Sequence, residues 1–312
     1  SVRENELLRH IFERSKGLST AFPRVVVGPG DDCAVVNATG QLLLKVDQLI
    51  EGRHFTPETP IDLIARKAIA RAVSDIAAMA GRPVASLAAA MIPAGYPHAD
   101  ALFDAAARWA RHWGCPLVGG DIARVARAQE GGRLGLSITV LGEAHRTRGP
   151  VLRSGARVGD LVFVTGEIGG SFDAGSGGGR HLTFEPRLAE AAWLAENLGE
   201  RLHAMMDVSD GLGMDAGRLA AASGVRIDID GGAIPLSPAV EGVGGNWLQA
   251  IRDGEDYELL FTSDPGASVP EEIPGTAARV TRIGVATPGS GCFVKGVDGR
   301  VIDASAMGFE HA

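Results

Sequence analysis

Cysteine is nearly missing from this chain of 312 residues. Only Cys33, Cys115 and Cys292 occur, an odd number with no CxxC pair. That disfavours a disulfide framework or a thiolate zinc site and fits a reducing cytoplasm. Positive charge is also short: 30 Lys and Arg stand against 38 Asp and Glu, a formal net charge of -8. The basic face of a nucleic-acid binder is absent, and no nucleic-acid partner is expected. An acidic balance does not exclude an anionic small ligand, because bound cations invert the local sign. No run of about 18 uncharged apolar residues occurs, so no membrane partner is expected. The opening SVRENELLRHIF is charged and amphipathic, unlike a signal peptide. Aromatics make up only 5%. Common signatures are missing too: no GxxxxGK[ST], no GxGxxG opening a helix after a strand, no GxSxG and no HExxH. A P-loop protein, a Rossmann dinucleotide enzyme and the commonest hydrolase classes are disfavoured.

What is present is glycine, 43 residues of it, and a hydrophobic fraction of 45%. The length allows two domains. Leu7, Leu8, Ile11 and Phe12 predict a helix over residues 4 to 14. Short strands are expected at 25–27 and 34–36, and a stronger one at 42–46 that delivers Asp47 at its end. The apolar spacing over 61–81 predicts a helix stopping before Pro83. A strand at SLAAAMIP, a helix over 98–113 and a strand PLVGGDIAR ending in Gly-Gly-Asp follow. Trp109 and Trp113, four apart, read as core packing. After LGLSITVLGEA, Arg148-Gly149-Pro150 reads as a hinge. Beyond it come a strand over 161–165, a glycine loop, a helix over 186–203, a strand-to-helix junction at MMDVSDGL, and strands at 225–229 and DYELLFT. The class is mixed α and β, with a boundary near 150.

The informative feature is acid at element ends. VGPGDDCAVV puts Asp31 and Asp32 side by side, although adjacent carboxylates repel unless solvent or a cation separates them. Asp47 and Asp121 follow strands, Asp75 sits among apolar helix residues, and Asp207 and Asp210 flank Ser209. Such acids either punctuate turns or form an oxygen cage for hard cations such as magnesium. The pairs Gly119-Gly120 and Gly169-Gly170 expose backbone N–H groups of the kind that bind phosphate. Cys33 reads as a small core residue, Tyr257 as packing, and His145 and His181 have no evident partners.

GPGDDCAVV, VDQLIEGRHF, AVSDIAAMAG, GGDIAR, LRSGARVGDLVFVTG, HLTFEPR, DVSDGL, GEDYELLFT and GFEH occur in this order. Together they resemble the thiamine-monophosphate kinase family of the aminoimidazole-ribonucleotide synthetase superfamily, over nearly the whole chain. The resemblance implies a two-domain α+β fold of the PurM-like type. Its N-terminal mixed sheet would form a barrel across a homodimer, and its C-terminal part would be an α/β sandwich. Residues 1–149 would form the ATP- and metal-binding and dimerisation domain. Residues 150–312 would complete the nucleotide and substrate sites. It implies ATP-dependent phosphorylation of thiamine monophosphate to thiamine diphosphate, in the cytoplasm, with several Mg2+ ions and ATP as co-substrate. By resemblance, Asp32, Asp47, Asp75, Asp121, Asp207 and Asp210 hold magnesium. Gly120, Asp121, Arg148 and Ser209 meet ATP, and His54, Glu255 and Phe309 meet the thiamine phosphate. Phe309 suits stacking on a flat cationic ring. No residue acts as a covalent or acid–base catalyst, because phosphoryl transfer relies on alignment and charge neutralisation.

The chain departs from the family pattern at several positions. Lys45 and Val46 stand where a Ser or Thr is usual before the VDxL aspartate. GGDIAR lacks the usual hydroxyls, and Asp253 replaces a glycine before GEDYEL. The loop after Thr165 is short. These departures leave open a relative acting on another phosphate acceptor, or a non-catalytic nucleotide-binding protein.

Overall fold

The computed structural model describes residues 4–29, 33–173, 175–242 and 246–309. The chain divides into two compact units, Ser1–Ile76 with Arg82–Ala144, and Ala77–Gly81 with His145–Ala312. Among the described residues no helix is long and apolar enough to cross a membrane.

The first unit runs α1 (Glu4–Arg14), α2 (Leu18–Ala21), β1 (Val25–Val27), β2 (Val35–Val36), β3 (Leu42–Ile50), α3 (Ile61–Ala78), β4 (Arg82–Pro93), α4 (Ala99–His112), β5 (Leu117–Val125) and β6 (Gly135–Glu143). β1 and β2 form a small antiparallel ribbon, and the larger sheet has the order β3-β6-β4-β5, with only β4 and β5 parallel. Two expected strands are longer than their apolar runs. β3 continues to Ile50, so Asp47 lies inside it, and Gly119-Gly120-Asp121 lies inside β5. Both extensions are held by ladder pairing, which short-range pattern does not reveal.

Alternation along β3 assigns its faces. Leu43 and Leu49 are buried, whereas Leu44 is 74% exposed and Val46 57% exposed. α3 covers the buried face: a Cβ on Gly142, which pairs with Leu43, would come within 2.9 Å of Ile76 Cγ2. α4 is tied to the start of α3 by Trp109 Nε1 donating to Asp62 at 2.9 Å. Trp109 and Trp113 stack at 5.3 Å with Arg66 over both rings, a packing role.

The second unit is built on a seven-stranded mixed sheet, β13-β12-β9-β11-β7-β10-β8. Its elements are β7 (Leu161–Thr165), α5 (Leu188–Leu198), β8 (Leu202–Asp207), α6 (Leu212–Ser223), β9 (Arg226–Asp230), α7 (Pro238–Gly242), α8 (Trp247–Ala250), β10 (Leu259–Ser263), β11 (Val280–Thr287), β12 (Gly291–Lys295) and β13 (Val301–Asp303). The strands β7, β8 and β10 are buried on both faces. Val162, Val164, Ala204, Met206 and Leu260 join one core with α6, while Phe163, Met205 and Phe261 join a second core with α5. Helices thus cover both faces of the sheet. The helix expected over 186–203 is shorter. It stops at Leu198, where Gly199 adopts φ 53°, and residues from 202 onward enter β8. Being apolar on both faces, β8 has no strand-like alternation to distinguish it from helix.

Candidate functional site

In the first unit, β3 and α3 bring Asp47 and Asp75 together. Both face Lys45, whose Nζ is 3.4 Å from Asp47 Oδ1 and 3.0 Å from Asp75 Oδ2. Asp47 and Lys45 leave the helix-covered face of the sheet, two residues apart. Asp121 does not join them. Asp47 lies in the row Ile138, Ala88, Gly120, and Asp121 lies in the next row, with Ala89, Ser137 and Gln48. It therefore points to the uncovered face, where it lines a cavity of about 210 Å³ with Gln48, Met91 and Ser137. Asp32, with Asp31, lies outside the described residues. Among the described residues no cluster of three or more His, Cys, Asp or Glu is gathered in metal-binding geometry. Carboxylates are the oxygen donors a hard cation takes, but Asp47 and Asp75 already converge on the Lys45 ammonium.

Gly120 is required for close approach. With φ 157°, a Cβ there would stand 1.9 Å from the Ala88 carbonyl oxygen. His54 follows β3; its Nδ1 accepts the Ile50 N–H at 2.9 Å, and its carbonyl accepts from the fully buried Lys67 at 2.9 Å. A ring nitrogen that accepts leaves the proton on Nε2, so His54 offers a donor there.

In the second unit, three segments meet through backbone bonds. Glu255 N–H donates to Ser209 O at 2.7 Å, Tyr257 N–H to Val208 O at 2.8 Å, and Phe309 N–H to Asp210 O at 2.8 Å. Ser209, Asp210, Glu255 and Phe309 are thereby collected at one end of the sheet, beyond Asp207 at the end of β8. Glu255 and Tyr257 have φ of 64° and 53°, left-handed values that side chains adopt at a cost. Tyr257 is buried and stacks on Phe184 at 3.9 Å, which fits the packing role.

Several residues that the sequence reading did not single out hold this loop. Asp215, fully buried in the first turn of α6, accepts the Ser209 and Asp210 N–H groups at 2.9 Å each. Burial pushes its carboxyl up to about 7, with the Asp210 and Asp207 charges adding to the rise. Arg218 bridges Asp215 and Asp210. His181 is fully buried and has its Nδ1 3.1 Å from Glu255 Oε2, so it does have a partner. His145 has one as well, Glu196 at 3.2 Å. Arg180 pairs with Asp256 at 2.9 Å and Arg187 with Glu258 at 2.6 Å, so RHLTFEPR and EDYEL form one ionic lattice. Spacing alone could not reveal that lattice, because its two halves are more than 70 residues apart.

Two readings need correction. Gly169 and Gly170 are not bare phosphate-binding amides: Gly169 N–H donates to both Asp256 carboxylate oxygens at 3.0 Å, and Gly170 N–H donates to Asp253 at 2.8 Å. Asp253, the departure from the family glycine, thus acquires a structural role. Cys33 is exposed rather than in the core, whereas burial pushes the Cys115 and Cys292 thiols up to about 12. Arg148 directs Nε to Gly199 O at 2.8 Å and Nη2 to Leu202 O at 2.6 Å, tying the end of α5 to β8.

The sequence-family profile described as "AIR synthase related protein, N-terminal domain" matches residues 30–144, and "AIR synthase related protein, C-terminal domain" matches 157–295. The thiamine-monophosphate kinase of Rhodopirellula baltica is 33% identical over 313 residues, covering 95% of this chain and 94% of its own. A crystal structure of the thiamine-monophosphate kinase from Stenotrophomonas maltophilia superposes with a TM-score of 0.76 at 28% identity, covering 93% and 96% of the two chains. A structure described as AaThiL complexed with AMPPCP and TMP gives 0.72 at 29% identity, covering 100% and 99%. With this likeness the two-domain α+β architecture is of the PurM-like type, and the chain belongs to the thiamine-monophosphate kinase family.

Proposed function

We propose that this chain transfers the γ-phosphoryl group of ATP to the phosphate of thiamine monophosphate, giving ADP and thiamine diphosphate. The observation that carries the reading is its full-length likeness to AaThiL complexed with AMPPCP and TMP. The local geometry agrees, since Ser209, Asp210, Glu255 and Phe309 share one backbone-bonded cluster.

Both reactants are phosphates and repel. Magnesium, when bound, supplies the charge neutralisation that lets them approach. Asp32 and Asp121 of the first unit, and Asp207 and Asp210 of the second, are the proposed ligands; Asp47 and Asp75, which the resemblance adds to that set, already face Lys45. Gly120, Asp121, Arg148 and Ser209 are assigned to ATP. His54 donates from Nε2 toward the acceptor phosphate. Glu255, fixed by His181, and Phe309, 53% exposed, are assigned to the thiamine phosphate, Phe309 against its cationic ring. Transfer is direct and in line, with no covalent intermediate on the protein. The enzyme is taken to be cytoplasmic and to act as a homodimer joined through the uncovered apolar face of the four-stranded sheet, the two sheets closing into a barrel.

Phosphorus NMR of the full chain with ATP, Mg2+ and thiamine monophosphate tests the reading. Thiamine diphosphate and ADP are expected to appear in step. Intact ATP beside folded protein rejects the activity; ATP consumption without thiamine diphosphate points to a different acceptor.

A further inference from the structure

One pair of carboxylates is already held by a cation belonging to the chain. Lys45 Nζ lies 3.0 Å from Asp75 Oδ2 and 3.4 Å from Asp47 Oδ1. This is not a loose surface ion pair. The three side chains retain only 33%, 26% and 19% exposure for Lys45, Asp75 and Asp47. Lys45 and Asp47 leave one face of β3, and Asp75 comes from the helix lying on that face. Three backbone-fixed positions therefore converge on one point.

The charge balance shows what this arrangement excludes. Two carboxylates and one ammonium sum to -1, whereas two carboxylates and a divalent ion sum to zero. Magnesium needs oxygen ligands at about 2.0–2.1 Å and carries a tight water shell. An ammonium 3.0 and 3.4 Å from those two oxygens fills the volume that ion and its water would need. A divalent ion added beside it meets strong like-charge repulsion in a partly buried setting. A lysine is well suited to the substitution, being a compact point charge on a flexible stem.

We propose that Lys45 is a tethered substitute for a divalent cation at the Asp47–Asp75 pair, so that this chain binds one divalent ion fewer than the same chain with a short neutral residue at position 45. Lys45 is a positioning residue here: it keeps the two carboxylates convergent before any ion or nucleotide arrives. The proposal rests on the phosphotransfer reading only for what that charge serves, namely the phosphate anions.

The test is a Mn2+ titration of the metal-stripped full chain without nucleotide, following the free-ion electron paramagnetic resonance signal. Lys45→Ser is expected to bind one more Mn2+ per chain than the unaltered protein, and Lys45→Arg to match the unaltered protein. Adding Asp75→Asn to Lys45→Ser is expected to remove the gained ion. Equal stoichiometry in folded Lys45→Ser and unaltered protein overturns the proposal. Should Lys45→Ser not fold, Asp75→Asn alone decides. Unchanged Mn2+ binding supports the proposal, since lysine rather than metal occupies the pair, and loss of one ion overturns it. No turnover is read, so failure of thiamine diphosphate formation and failure of this exchange are separate results.

Discussion

Arg187 grips Glu258 with two parallel bonds, Nε to Oε2 at 2.7 Å and Nη2 to Oε1 at 2.6 Å. Glu258 is 2% exposed and also accepts from Thr165 Oγ1 at 2.7 Å. Removing the guanidinium leaves a buried carboxylate with its main partner gone, a change that typically costs about 3–5 kcal/mol. Arg187→Met is therefore expected to lower unfolding free energy by about 3 kcal/mol in urea titration. Arg187→Lys should recover less than half, because an ammonium cannot reproduce the fork. A loss below about 1 kcal/mol would show that the pair behaves like an exposed one.

Glu143 supplies a pH signature in the first unit. Burial alone would raise its carboxyl, but the Arg24 guanidinium, the Thr39 N–H and the Arg82 guanidinium outweigh it and hold the group down from 4.5 to about 2. A folded-state value below the unfolded one means that the native state favours the carboxylate. That stabilisation is complete above about pH 4.5 and is lost as pH falls through about 2. Glu143→Gln should cost about 1–3 kcal/mol at neutral pH, the worth of charged hydrogen bonds. The gap between variant and unaltered protein should close as acid is added across that window. A gap independent of pH would mean that the charge of Glu143 is not what the site uses.

Gly120 tests the sheet beneath the proposed nucleotide residues. A Cβ there would sit 1.9 Å from the Ala88 carbonyl, so Gly120→Ala must push β5 off β4. A cost of about 2–4 kcal/mol is expected, in the range of overpacking at rigid backbone. Gly40 has φ 70° with open space around it, so Gly40→Ala should cost only about 1–2 kcal/mol for the left-handed backbone. Equal losses in the two variants, measured by thermal unfolding, would contradict the close approach.

The sequence is most legible where one physical rule acts alone. Helices α1, α3 and α4 follow apolar spacing, and β7 follows from a short apolar run beside glycines. The α5–β8 boundary does not, because a strand buried on both faces has no period of its own. β11 to β13 go unassigned for a similar reason: their register depends on β9 and β7, far away in sequence. Within the site, Ser209, Asp210, Glu255 and Phe309 were recognisable as motifs, and backbone bonds do collect them. Asp215 and His181 were not, since each acts through a partner that only folding supplies. Asp121 shows the opposite limit. Its place in a motif gave no hint that strand alternation would turn it to the other face of the sheet from Asp47.

That other face carries the last prediction. Leu42, Leu44 and Val46 on β3, with Leu87 and Met91 on β4, are between 42% and 74% exposed on a single chain. A contiguous apolar strip of this kind marks an interaction surface. The proposed homodimer would bury it against its own copy, which makes the interface self-complementary. A charge at its centre should then be tolerated by the fold but not by the pair. Leu44→Glu is expected to leave single-chain stability within about 0.5 kcal/mol, as for most exposed positions, and to convert a dimer into a monomer in sedimentation velocity. If the unaltered protein already sediments as a monomer at micromolar concentration, or the variant stays dimeric, the copies do not meet through this face.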